Sequence, residues 1–193
     1  TQTGMTIETA WYVDQNRRLL LSKFISAFAQ FFREHSGRWL EIAQYKEAEP
    51  HLLLQAFLQR IVNGGGQITR EYGLGMGRTN LFILWHLPDG TNQQFVIECK
   101  IQRRTREKTI ESGITQVTRY TDTCGAEGVY LVIFDPSDKP WDDKIFTEIR
   151  SKDPYQVEIF GMWNEYSSIF LVSGSKTMPI SINCRLLERY FSE

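Results

Sequence analysis

The stretch GVYLVIFD at 128–135 is apolar without a break, and few places in a fold accept such a segment. A strand with one wet face alternates apolar and polar residues, whereas a strand covered on both faces carries apolar side chains in both directions. Residues 128–135 therefore demand structure above and below them. Residues 105–123, just upstream, place Ile110, Ile114, Val117 and Thr121 on one stripe at helical spacing. A helix leading into a buried strand is the crossover of a parallel pair.

The sequence before that helix changes period twice. Residues 14–34 carry Leu20, Phe24, Ala27, Phe28, Phe31 and Phe32 at helical spacing, and HSGRWLEIAQYKEAEP then reads as a break followed by a short second helix. Residues 50–62 make a third helix with Pro50 tolerated in its first turn, stopped by the NGGG at 63–66. The period then falls to two. QITREYGLG (67–75), NLFILWHL (80–87) and QFVIECKI (94–101) are expected strands, with PDGTN (88–92) the turn between the second and third. Downstream, 141–150 is expected as a short helix, 157–163 and 168–174 as strands and 184–191 as a final helix. Helices, a three-strand meander, a crossover helix and a buried strand predict an α/β sandwich with a mixed sheet. The expectation is one domain over 1–193, with the helical part at about 14–62 packed on the core. Trp11, Trp39, Trp85, Trp141 and Trp163 are read as core anchors.

Composition excludes several classes. Hydrophobic residues at 41% and charged residues at 23% are those of an ordinary globular chain. No apolar run reaches the roughly 18–20 residues that span a bilayer, and no secretory signal is visible. Cys99, Cys124 and Cys184 lack C-x-x-C spacing, and His35, His51 and His86 are scattered, so neither disulfide nor zinc patterning is present. These features predict a cytoplasmic protein with reduced thiols. The chain opens TQTGM without an initiator Met, as a processed chain, one with residues added ahead of it, or a domain cut from something longer would.

Against this background QQFVIECKIQ (93–102) is anomalous. Glu98 and Lys100, two residues apart, share one face of an otherwise β-prone apolar strand, and Cys99 takes the other. Charges among apolar neighbours cost free energy unless paired or bound. Either this is an edge strand with a solvated ion pair, worth about 0–1 kcal/mol, or the pair is a site. Asn80 opens the strand expected to lie beside it. Gln116 and Tyr120 sit four apart on the crossover helix, flanking its apolar stripe, and Glu47 precedes the third helix. The GLGMGR at 73–78 lacks the G-x-G-x-x-G spacing and leads into a strand, so it is read as a tight hairpin rather than a nucleotide loop.

GRTNLFILW, IECK and QVTRY, on strand, strand and helix in that order, resemble the PD-(D/E)XK nuclease superfamily, and within it the recombination-type branch with a Q-x-x-x-Y helix. YKEAEPHLLLQAFLQRIVNGGG and REYGLGMGRT are similar to a domain at the C-terminus of bacterial ATPase-like proteins, and the resemblance spans roughly residues 40–135. It implies a restriction-endonuclease-like sandwich that hydrolyses DNA phosphodiesters with Mg²⁺, for which Mn²⁺ can substitute. It further implies an ATPase domain in the same larger protein, a role in bacterial defence and possible homodimerisation.

Residue by residue, the resemblance implies Glu98 and the Cys99 carbonyl as metal ligands, Lys100 as the group that positions or activates water, and Glu47 as a supporting acid. Gln116 and Tyr120 would contact the nucleic-acid strand or orient the others. Arg78, Arg103, Arg104, Arg106 and Lys108 would contact DNA phosphates, although a charge run is commonly only a solvated face. The departure is Asn80, where the family has the Asp that bridges the metal. Asn keeps a carbonyl oxygen and loses the charge on which hard-cation affinity depends, so this chain is expected to cleave poorly or not at all. Asn80 is either a change introduced into a working site or a natural loss. The survival of Glu98, Lys100, Gln116 and Tyr120 favours the first. The rival expectation is a non-catalytic DNA-binding or assembly module on the same fold, and RNA as the target stays open.

Overall fold

The computed structural model describes residues 10–42, 50–71, 80–137 and 139–163. Helices α1 (Leu21–Ile42) and α2 (Pro50–Val62) precede strands β1 (Gly66–Glu71), β2 (Asn80–His86) and β3 (Asn92–Ile101). Then come α3 (Arg106–Cys124), β4 (Gly128–Asp135), the single turn α4 (Trp141–Lys144), β5 (Phe146–Lys152) and β6 (Tyr155–Trp163). The strands form one mixed sheet in the order β1-β2-β3-β4-β6-β5. β1, β2 and β3 are an antiparallel meander, β4 joins β3 in parallel through α3, β6 runs parallel to β4, and β5 closes the edge antiparallel to β6.

Strand alternation divides the interior into two layers. Leu81, Ile83, Trp85, Phe95, Ile97, Tyr130, Val132 and Phe134 meet the buried faces of α1 and α2, including Phe24, Phe28, Leu54 and Phe57. Val96, Val129, Leu131, Ile133, Val157 and Ile159 meet Ile110 and Val117 of α3. β4 is buried along both faces from Val129 to Asp135, as its unbroken apolar run requires. α3 begins at Thr105, whose hydroxyl accepts the Lys108 N–H, and ends at Gly125, which adopts φ 68° and donates its N–H to Thr121 O. Among the described residues no helix is long and apolar enough to cross a membrane.

Several expectations are corrected. The first helix starts at Leu21 rather than near residue 14. Asp14 Oδ1 accepts the N–H groups of Asn16 (2.8 Å) and Arg18 (2.9 Å), closing a turn where a helix would otherwise begin. The expected break at HSGRW is absent, and α1 runs through Gly37 to Ile42. One glycine costs a helix about 1 kcal/mol, too little to stop it. Residues 141–150 are not one helix: after α4 the chain becomes β5. Trp11, expected in the core, is 45% exposed and stacks on Phe24, whereas Trp85 is buried as expected. The expected strand at 168–174 and helix at 184–191 lie outside the described residues.

Candidate active site

β3 is an interior strand with β2 on one side and β4 on the other, so the edge-strand reading of IECK fails. Val96 faces α3, and the pleat puts Glu98 and Lys100 on that same side. Glu98 retains 1% of its side-chain exposure and Lys100 23%, and Lys100 Nζ lies 3.1 Å from Glu98 Oε1. A carboxylate sealed into an interior strand costs less free energy when such a partner stands beside it. The second anchor of Lys100 comes from the crossover helix, where Gln116 Oε1 accepts a hydrogen bond from Nζ. The amide nitrogen of Gln116 is enclosed and makes no hydrogen bond among the described residues.

The meander brings the backbone of Asn80 directly across from Glu98, and that of Glu71 across from Asn80. Glu71 was not singled out from the sequence, because only the β1–β2 register puts it in this row. Tyr120, one turn beyond Gln116, is half-buried and packs against the Val96–Val117 cluster. Glu47 and Arg78 lie outside the described residues, as does the GLGMGR segment.

Beyond β3 the same parity continues to Gln102, a second residue passed over in the sequence. Its Nε2 donates to Asp135 Oδ2 at 3.0 Å, while Asp135 Oδ1 accepts the Ser137 N–H at 2.9 Å. Both Gln102 and Asp135 are buried. The available signal was Asp135 itself, a carboxylate ending an otherwise apolar strand. On the opposite face Cys99 packs against the α1–α2 layer. Burial raises its thiol pKa, the Glu98 charge adds to the rise, and Arg70 opposes it.

The basic cluster separates into two kinds. Arg103, Arg104 and Lys108 are exposed. Arg106 is turned inward: its Nη2 donates to the Asp143 carbonyl and its guanidinium lies 4.3 Å from the centroid of the Phe146 ring.

Among the described residues no group of three or more His, Cys, Asp or Glu comes together as a metal cage. Mg²⁺ needs fewer, one or two carboxylates with water completing its octahedron. Here the Glu98 carboxylate is engaged by Lys100, and the residue across from it is an amide rather than an acid. A carboxylate already paired with an ammonium and placed opposite an amide is a weak donor set for so hard a cation. What the residues do make is an ion pair, its carboxylate buried and its ammonium partly exposed, with an amide from α3 bonded to the ammonium.

Comparison with known proteins finds no matching family model, no matching curated protein and no matching solved structure.

Proposed function

We propose that the chain carries the site of a PD-(D/E)XK-type DNA phosphodiesterase on a restriction-endonuclease-like sandwich, with its metal-binding power withdrawn by Asn80. The supporting observation is the convergence on one interior strand of a buried Glu98, its ion-paired Lys100 and Gln116 from the following crossover helix. A carboxylate buried among apolar neighbours is a poor choice for stability alone, which points to a functional reason for its place. In this reading Lys100 holds and polarises the attacking water, Gln116 fixes the direction of the Lys100 ammonium, and Arg103 and Arg104 meet the phosphate backbone.

The test is cleavage of plasmid and linear DNA by the chain and its Asn80→Asp variant, side by side, with Mg²⁺ or Mn²⁺. Cleavage by Asn80→Asp that disappears on adding Glu98→Ala supports the reading. Failure of a folded Asn80→Asp variant to cut overturns it. A second reading, a nucleic-acid-binding module without catalysis, draws on the same Asn80 and on the closure of Lys100 over Glu98. DNA binding that persists without cleavage in both proteins would favour it, and single-stranded RNA in the same assay separates the two nucleic acids. An ATPase domain in the same larger protein, a defensive role and a homodimeric working form extend the proposal.

A further inference from the structure

Taking Glu98, Lys100 and Gln116 as a site, we propose that Gly113 is its positioning residue, setting how deeply α3 seats on the sheet and so whether Gln116 reaches Lys100. Gly113 lies in the buried stripe of α3. A Cβ built there would stand 2.6 Å from Leu131 Cδ1 and 2.7 Å from Cδ2. Leu131 has little room to yield, because it is fully buried in one cluster with Val96, Val117, Val129 and Ile133. It is also the residue of β4 in register with Glu98. At Gly113 α3 thus packs tightly on the strand residue beside the buried carboxylate, and Gln116 follows three residues later, on the adjoining turn of the same face.

Glycine is a poor helix former, and Thr109, Thr118 and Thr121 occupy neighbouring buried positions of α3 with side chains that fit. Position 113 alone in that group has no side chain. Lifting the helix there by the thickness of a methyl group would draw Gln116 Oε1 away from the Lys100 ammonium, while leaving the apolar layer broadly packed.

The experiment reads Gln116 and Lys100 directly in the full chain, by the NMR signals of the Gln116 side-chain amide and the Lys100 ε-ammonium group. Gln116→Ala and Lys100→Met provide the assignments. Gly113→Ala is expected to displace both signals, Ile114→Val on the same turn to leave them in place, and Gly113→Ala combined with Leu131→Ala to return them toward their original positions. Unmoved signals in a folded Gly113→Ala protein overturn the proposal, as does a folded double variant whose signals stay displaced when the single variant does not fold. In the Asn80→Asp background, Gly113→Ala is further expected to lower kcat at least tenfold with KM little changed, and the double variant to recover it. The NMR arm decides on Gly113 even where Asn80→Asp fails to cut, so failure of the positioning role and failure of the nuclease reading remain distinguishable.

Discussion

Lys100 Nζ stands 3.1 Å from Glu98 Oε1, two residues along the same strand, with the carboxylate almost wholly sealed from water and the ammonium partly exposed. The asymmetry matters. An exposed pair at this spacing would be screened and nearly dispensable, whereas a buried carboxylate depends on its cation. The strand therefore carries a buried charge that Lys100, held in turn by Gln116, helps the fold to tolerate.

Replacing Lys100 by Met should lower the free energy of unfolding by about 1.5–3 kcal/mol, the range for losing a charged hydrogen-bond partner of a buried group. Glu98→Gln should cost less, and the double variant should cost less than the two single costs added together. Urea titrations of the four proteins measure this as a double-mutant cycle. A coupling below about 0.5 kcal/mol would make the pair an ordinary surface contact.

The basic residues should sort by what they touch. Arg103→Ala with Arg104→Ala should flatten the dependence of log Kd for DNA on log salt by about two, one for each phosphate no longer neutralised. Arg106→Ala should leave that slope unchanged and instead lower the melting temperature, because its guanidinium is spent on the Asp143 carbonyl and the Phe146 ring. A reduced salt slope in Arg106→Ala would restore it to the DNA-binding group.

How much of this was legible depended on whether the deciding interaction was local. β4 could be read from eight residues, because burial on both faces leaves a continuous apolar run. The placing of Glu98, Lys100, Gln116 and Tyr120 on strand and helix also followed from local periodicity. β5 could not be read this way. Ile145, Phe146 and Ile149 have helical spacing, yet Phe146 pairs with Gly161 and Ile149 is 60% exposed. Pairing with the next strand, β6, decided the matter, and nothing inside 141–150 announces it. The same holds for Gln102, whose meaning lies in Asp135 across the parallel pair. The turn at Asp14 was missed because the apolar spacing beyond it extended the helix backwards over a residue that prefers to bond its own backbone.

Gly161→Ala should therefore be among the most damaging small changes in the sheet. A Cβ at 161 would run into two atoms of the Phe146 ring and lie 2.6 Å from the Lys144 carbonyl oxygen. Overpacking of this kind costs about 1–3 kcal/mol, measurable as a fall in the urea midpoint. Adding Phe146→Ala should recover part of the loss by removing the ring. Unchanged stability in Gly161→Ala would mean that β5 does not sit against β6 in this register.

The Cys99 thiol gives a prediction whose sign follows from the structure. Although the residue is only half-buried overall, its side chain packs against the apolar α1–α2 layer. Burial first and the Glu98 charge second raise its pKa above the ordinary 9.0. The folded chain thus keeps the thiol proton at a pH where the unfolded chain releases it. With the folded value raised, the stabilisation is complete below the unfolded pKa and is lost as pH rises past it. For one proton the loss between pH 8 and pH 10 is about 1.4 kcal/mol. Other groups titrate in this interval as well, so the informative quantity is the difference between the chain and its Cys99→Ala variant, from urea titrations at both pH values. The advantage of the original chain over the variant should shrink by about that amount. Parallel pH dependences in the two proteins would show that the thiol ionises in the fold as readily as in the unfolded chain, and that the layer behind the Glu98–Lys100 strand is wetter than its packing indicates.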